Sequence, residues 1–160
     1  MTILDSMLMF SPPSAPQAIT TGAAASTNII DLLNPRDLGI GDDPALKLMF
    51  YVSTAFTSAG AGTLQIAFQG APDDGTGNPG TYVTYAESRA YALANLSLGA
   101  KLFPIDVPHR DPTLTATFPR FYRLLYTVAV ADFTAGKVVA GIVIDRQDSA
   151  QYPAGLTITN

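Results

Sequence analysis

Apolar and polar residues alternate with a period of two along much of the chain, and this pattern constrains the fold more than any other feature. Strand side chains point alternately to opposite faces of a sheet, so the period is typical of half-buried β-strands. Clear alternation predicts strands at residues 45–54, 63–69, 103–107, 122–128 and 138–144. Weaker patterns predict further strands at residues 3–9, 27–32 and 81–87.

About eight strands joined by turn-rich segments predict a single-domain all-β fold, an antiparallel sandwich of jelly-roll or Greek-key topology. The composition agrees, because 12 of the 13 acidic residues are aspartate and only three lysines occur, beside 13 glycines and 12 prolines. Glutamate and lysine favour exposed helix faces, whereas Asp, Gly and Pro favour turns. Residues 88–98 predict a single turn or short helix before Gly99. Pro104 cannot donate to a sheet ladder, so its strand lies at an edge or begins at Ile105.

The chain divides into an N-terminal arm or strand with a Pro-rich linker at residues 1–16, a jelly-roll domain at 17–147 and a C-terminal tail at 148–160. The sequence Ser-Pro-Pro-Ser-Ala-Pro at residues 11–16 predicts an extended, polyproline-like segment that detaches residues 1–10 from the domain. Residues 1–10 lack a basic region and include Asp5, which does not indicate a signal peptide. We expect no membrane-spanning segment, because no apolar run approaches the ~20 residues required.

The charge content restricts the classes of partner. Only 14% of the residues are charged, 48% are hydrophobic, and the net charge is −4. An acidic chain repels phosphate, so nucleic acid is not expected as a partner. The low charge leaves two interpretations open: a large core, or a surface that is buried against other proteins.

No catalytic pattern is complete in this sequence. His109 is the only histidine and lies between two prolines, and the absence of cysteine removes thiol nucleophiles and the usual zinc ligands. There is no Gly-x-Ser-x-Gly elbow, and nothing selects a pair of carboxyl groups for glycoside hydrolysis. We therefore expect a protein that is not an enzyme, with no cofactor and no small-molecule substrate.

Two Asp- and Gly-rich segments are the best candidates for a cation site. They lie at residues 37–43 and 73–78, within loops predicted at 34–44 and 70–80. Calcium favours clustered carboxylates on turns that glycine permits, but neither segment has the spacing of an EF-hand or its terminal glutamate. Solvated turns are the favoured interpretation.

Two distant segments repeat one arrangement: a strand, a connection that begins with Phe-Thr and continues through small residues to Gly, and a second strand. In the first, Phe56-Thr-Ser-Ala-Gly60 precedes the strand at residues 63–69, and in the second, Phe133-Thr-Ala-Gly136 precedes the strand at 138–144. Two equivalent hairpins suit a double Greek key. Chance recurrence in a Gly-rich β protein is the alternative.

Four further stretches resemble the capsid cement family of tailed bacteriophages typified by the Bordetella phage Bbp16 protein. The first is Asp-Leu-Gly-Ile-Gly-Asp-Asp-Pro at residues 37–44, which leads into residues 46–68. The others are Ala-Ile-Thr at 18–20 followed by 26–32, Leu-Ser-Leu-Gly at 96–99 followed by 102–108, and the run at 133–147. Together they cover roughly residues 17–147. The start of the chain, the loop at 70–80 and the tail beyond Arg146 depart from the family pattern.

The resemblance implies a jelly-roll protein that forms homotrimers on the outer surface of the icosahedral phage head. There it ties major capsid protein subunits together. Candidate interface residues are the apolar run before the prolines and the two phenylalanines of the repeat, namely Met7, Leu8, Met9, Phe10, Phe56 and Phe133. The apolar run is either an arm that packs on a neighbouring subunit or a strand that completes its own sheet.

A carbohydrate- or cell-surface-binding β-sandwich is the alternative function, because jelly-roll folds also occur in lectins. Such sites present clusters of exposed aromatic rings. The chain has no tryptophan, but Tyr82, Tyr85 and Tyr91 keep this alternative open.

Overall fold

The computed structural model describes residues 6–34, 46–107 and 118–144. Within these ranges the chain forms ten β-strands and two short 3₁₀ helices, at Ser6–Leu8 and Leu93–Asn95. In chain order the strands are β1 (Met9–Ser11), β2 (Gln17–Ala18), β3 (Ala23–Ala25), β4 (Ile30–Asp31), β5 (Leu46–Ser58), β6 (Thr63–Ala71), β7 (Val83–Glu87), β8 (Tyr91–Ala92), β9 (Phe121–Ala129) and β10 (Phe133–Ile144).

The strands form two antiparallel sheets. In the first sheet β10 pairs with β1 and β2 along one edge and with β5 along the other. In the second sheet β9 pairs with β3, β4 and β6, and β6 also pairs with β7 and β8. The predicted all-β antiparallel fold is confirmed, and the two-sheet arrangement fits a jelly roll.

One hydrophobic core lies between the sheets, and the predicted alternation identifies much of it. Side chains of both sheets contribute to it, including Leu48, Phe50, Val52, Leu64, Ile66, Phe68, Tyr122, Leu124, Tyr126, Val138, Ala140 and Ile142. Rings from opposite sheets meet there: the centroids of Phe50 and Tyr126 are 5.9 Å apart, and those of Phe10 and Phe68 are 6.2 Å apart. Burial of these large apolar surfaces is the main force that holds the two sheets together.

A chain of hydrogen bonds that runs from the core to the surface joins the N-terminal segment to both sheets. The Tyr126 hydroxyl lies 3.1 Å from the Ser11 hydroxyl oxygen, and Ser11 donates to the Gln17 side-chain oxygen at 2.9 Å. The same Gln17 oxygen accepts the Thr27 N–H at 2.8 Å, and its amide nitrogen donates to the Ala25 carbonyl at 2.8 Å. Burial raises the pKa of Tyr126 well above its usual value, so this hydroxyl stays protonated.

The predicted detachment of residues 1–10 is wrong for the part of this segment that the structure describes. Phe10 and Ser11 are fully buried, and β1 pairs with β10. The prolines form a turn, in which the Ala15 N–H donates to the Pro12 carbonyl at 3.0 Å, and not an extended linker. The reason is the apolar character of the run, because its burial in the core is worth more than its exposure on an arm.

The strand predicted at residues 103–107 is also wrong as a continuous strand. The segment does lie along the free edge of β5, where the Leu48 N–H donates to the Ile105 carbonyl and the Val107 N–H to the Leu46 carbonyl, both at 2.9 Å. Phe103 interrupts the ladder with a φ of 51°, and Pro104 has no N–H to donate. The result is an extended segment with isolated bridges at Lys101 and Asp106.

The weaker predictions are correct only in part. The patterns at 27–32 and 81–87 shorten to β4 and β7, and within the pattern at 3–9 the described residues 6–9 form a 3₁₀ turn and the first residue of β1. The helix-like composition of 88–98 produces β8 and one 3₁₀ turn. Most of the loop predicted at 34–44, His109 and the tail at 148–160 lie outside the described residues.

Truncation of Phe10 tests whether the N-terminal strand belongs to the core. We expect Phe10→Ala to lower the free energy of unfolding by about 3–5 kcal/mol, because the substitution replaces a buried ring by a cavity. Urea unfolding followed by circular dichroism measures the loss. Met7→Ala is the control: Met7 is 78% exposed, and its truncation should cost less than about 0.5 kcal/mol. Equally small losses in both variants would contradict a core role for β1.

Candidate interaction surfaces

The six residues predicted as an interface do not form one exposed surface. Four of them are buried inside the protomer, at 0–6% exposure: Met9, Phe10, Phe56 and Phe133. Leu8 is half-buried and packs against the core, whereas Met7 is exposed. A contact with a partner through the four buried side chains would require them to leave the interior of the protomer. The surface that the protomer offers to a partner is therefore made largely by other residues.

Two connections between the sheets lie against each other at one end of the sandwich. Residues 59–62 lead from β5 to β6, and residues 130–132 lead from β9 back to β10. The Phe56 and Phe133 rings meet edge to face with centroids 4.8 Å apart, and the hydroxyl oxygens of the threonines that follow them are 2.8 Å apart. The repeated Phe-Thr sequence thus has a structural cause, because its two copies pair where the chain changes sheets.

The stacked connections require glycine where they touch. A Cβ atom at Gly62 would lie 2.7 Å from the Ala131 carbonyl oxygen, and one at Gly60 would lie 2.9 Å from the Ala131 Cβ. On the adjacent part of β10, a Cβ atom at Gly136 would overlap the Phe56 ring. Because interiors are packed to crystal-like density, side chains at these positions would force the connections apart.

Two exposed aliphatic residues occupy strained turns of one residue each. Val130 has a φ of 71° and Leu33 a φ of 63°, a backbone conformation that branched and bulky residues rarely adopt. In each turn the residue after the tip donates its N–H to the carbonyl of the residue before it, over 2.9 Å at Val130 and 2.7 Å at Leu33. Both are γ-turns of the rare positive-φ kind. We call Leu33 and Val130 the γ-turn tips.

The strain at the γ-turn tips is not offset by packing of their side chains in the core. Val130 is 80% and Leu33 is 71% exposed, while a non-glycine residue held at positive φ costs about 1–3 kcal/mol. Sequence reasoning missed both residues. No local pattern in the sequence marks either position, because a positive φ at an exposed aliphatic residue is a property of the folded chain.

The γ-turn tips lie at opposite ends of the second sheet. Val130 directly follows the last residue of β9, whereas Leu33 follows β4, in which Asp31 pairs with Phe121 at the start of β9. At about 3.4 Å per strand residue, roughly 30 Å separates the two ends.

Arg120 fixes the end of the sandwich at which Leu33 lies. Its guanidinium donates to both carboxylate oxygens of Asp31, at 2.7 and 2.8 Å, and also to the Asp73 carboxylate. The Asp31 carboxylate in turn accepts the Leu33 N–H at 2.8 Å. Bidentate, charge-assisted hydrogen bonds of this kind are strong and directional. One arginine therefore connects β4, the loop after β6 and the start of β9, and through Asp31 it positions the Leu33 turn.

These hydrogen bonds lower the pKa of both carboxyl groups. For Asp31 the main cause is the hydrogen bond from Arg120. For Asp73 the main causes are the backbone N–H groups of Gly77 and Gly75, and Arg120 adds to them. A carboxyl group with a lowered folded-state pKa stabilises the fold above its unfolded pKa and loses that contribution as the pH falls through the folded value. The Arg120 cluster should therefore weaken in acid.

The loop at residues 73–78 uses its carboxylates internally. Asp73 accepts the N–H groups of Gly75 and Gly77 at 2.7 and 3.0 Å, and Asp74 accepts that of Thr76 at 2.7 Å. Among the residues that the structure describes, no group of three or more His, Cys, Asp or Glu side chains is placed to hold a metal ion. The second candidate cation loop, at residues 37–43, lies outside the described ranges.

The three tyrosines that keep a carbohydrate site open have different surroundings. The Tyr82 ring lies 3.6 Å from the Arg123 guanidinium carbon, and burial raises the pKa of Tyr82. Tyr85 packs with its ring centroid 6.4 Å from that of Tyr122 in the core. The Tyr91 hydroxyl accepts a backbone N–H at 2.9 Å. Tyr91 pairs with one end of β6, whereas Val83 in β7 pairs with the other end. These rings do not form a common stacking platform.

Fold and surface together define an antiparallel β-sandwich protein whose exposed features are turns and ion pairs. Within the described ranges, no helix has the length and apolar character needed to cross a membrane. The sequence model of the Bbp16 family matches residues 13–142, which is most of the chain. The chain therefore belongs to the Bbp16 family, as the sequence resemblance predicted, and this membership indicates a bacteriophage protein associated with the virion. A comparison with curated proteins finds no match.

The Arg120 cluster can be tested by its pH dependence. We expect Arg120→Met to lower stability at about pH 6, and the difference from the wild type to shrink as the pH falls below the ordinary aspartate pKa of 3.8 and the Asp31 and Asp73 carboxyl groups become protonated. Urea unfolding midpoints across this range measure the effect. Arg123→Met is the control. Arg123 lies in β9, and its described contacts are to Gln69 and Tyr82 and not to a carboxylate. A difference for Arg120→Met that does not change with pH would contradict the assignment.

Proposed function

We propose that this protein is a structural component of the virion that binds the outer surface of the icosahedral phage head. There it bridges major capsid protein subunits and stabilises the shell. The observation that carries the proposal is the match of the Bbp16 family to residues 13–142. In this role the protein is not an enzyme, uses no cofactor or small-molecule substrate, and binds protein, not nucleic acid or membrane.

The architecture suits a rigid bridge. Its two sheets share one core, and Arg120 and the stacked connections tie down the two ends of the sandwich. A rigid binder loses little conformational entropy when it docks, so more of its contact energy appears as affinity. The low charge content of 14% also suits a protein whose surface is partly covered by partners.

A cementing protein stabilises a shell through linked equilibria. A ligand that binds the assembled shell and not the free subunits shifts the equilibrium towards the shell, by about 2.7 kcal/mol per site at a free concentration 100 times the Kd. Assembly as a trimer would make each contact multivalent, and multivalency can raise avidity by roughly 10²–10⁴ without new contacts. Weak contacts at each protomer would then suffice.

The stabilising role can be tested on heads that lack the protein. We expect added protein to bind such heads in many copies and to raise their melting temperature, because binding favours the assembled shell. Co-sedimentation measures the copies bound, and scanning calorimetry measures the melting temperature. An unrelated acidic β-sandwich protein at the same concentration is the control. Binding without a change in melting temperature would leave decoration intact and contradict cementing.

The trimer can be tested separately by sedimentation equilibrium. We expect the mass of three 16.8 kDa chains, independent of concentration in the micromolar range. A monomeric mass would contradict the trimer and would require the shell itself to supply the multivalency.

A further inference from the structure

We propose that the γ-turn tips, Leu33 and Val130, are the two points at which one protomer grips two different shell subunits. Each tip would enter an apolar pocket on a major capsid protein subunit, so that the second sheet spans the joint between them. This inference rests on the proposed function and deepens it by assigning the contact residues.

Folding does not explain the residue types at the tips. Glycine or asparagine would adopt a positive φ with less strain, and an exposed aliphatic side chain adds no core packing. Phe103 provides an internal comparison, since it also has a positive φ but is only 5% exposed. Its strain is offset by burial in the core. At Leu33 and Val130 the offset would have to come from outside the protomer.

Each tip is held rigid by a different set of local contacts. The Asp31 carboxylate, fixed by Arg120, accepts the N–H of Leu33. The turn at Val130 is backed by the stacked connections, where Gly62 and Ala131 are in close contact. A large side chain on a rigid support loses little entropy on binding, which is typical of residues that dominate the energy of an interface.

The tips lie at opposite ends of β9, so a single small pocket cannot accept both. A partner that offers two pockets roughly 30 Å apart is either very large or a lattice of repeated subunits. A virion shell is such a lattice, and the protein that bridges it must contact at least two of its subunits.

The surroundings of the tips favour the shell over a second copy of this chain as the occupant. The two tips are not alike: Leu33 adjoins Arg120 with Asp31 and Asp73, whereas Asp132 is the nearest charge in sequence to Val130. Near Leu33 carboxylates outnumber the guanidinium, so its pocket should have a basic rim, which a second acidic chain supplies poorly.

The experiment replaces each tip by asparagine, which is polar and tolerates a positive φ. We expect Leu33→Asn and Val130→Asn to melt at the same temperature as the wild type or higher. We expect each to bind heads lacking the protein about 100-fold more weakly, because loss of either tip leaves a protomer with one contact. The double variant should show no binding above background. Leu98→Asn is the matched control, since Leu98 is 70% exposed without a positive φ, and it should bind as the wild type does.

Each other result overturns a defined part of the proposal. Variants that bind as tightly as the wild type would remove the tips as contacts and leave the proposed function standing, whereas a wild-type protein that does not bind heads would overturn both. Weaker binding to heads in only one of the two single variants would contradict a bridge that uses both tips. Trimers or filaments of the wild type that are lost in the tip variants would make a second copy the occupant. If an asparagine variant fails to fold, Leu33→Gly and Val130→Gly repeat the test with the least-strained residue.

Discussion

The rest of the fold depends on a hydrogen-bond partner for the buried hydroxyl group of Tyr126. This hydroxyl lies at the centre of the second sheet with no solvent contact, and its hydrogen-bond partner is Ser11, in the first strand of the other sheet. A buried polar group without a partner costs about 1–3 kcal/mol, so the Tyr126 hydroxyl is satisfied only when β1 is in place. Gln17 extends the same chain of hydrogen bonds to the backbone of residues 25 and 27. The N-terminal segment is therefore structural, although its sequence resembles a tethered arm.

The sequence predicts the long strands and misses the short ones for one physical reason. Strands β5, β6, β9 and β10 each have nine or more residues with two distinct faces, which is enough for a period of two to be recognised. Strands β1 to β4 and β8 have only two or three residues. Their pairing depends on contacts with β6, β9 and β10, and such contacts lie far away in sequence. Residues 103–107 have the right period, but a positive φ at Phe103 breaks the ladder, and no local pattern reveals that angle.

The interface candidates illustrate a limit of apolar patterns. Phe10 is an interface candidate because it belongs to the apolar run before the prolines, and Phe56 and Phe133 because they begin the two copies of the repeat, but large apolar residues are also typical of a core. The pairing of Phe56 with Phe133 shows that the repeat marks a place where the protomer contacts itself. The γ-turn tips have the opposite character, because their surroundings in the sequence are ordinary. Only backbone angles and exposure together distinguish them, and both are properties of the folded chain.

Because the two tips have separate supports, their effects on stability can be distinguished from their effects on binding. Their supports share no residue: Arg120 and Asp31 hold one, and the stacked connections hold the other, at the far end of β9. Substitutions at sites more than about 7–10 Å apart with no shared partner have nearly additive effects on stability. Each tip can therefore change without disturbing the other through the fold. Any coupling between them in binding has to arise from the partner that holds both, which makes non-additivity in binding a direct measure of bridging.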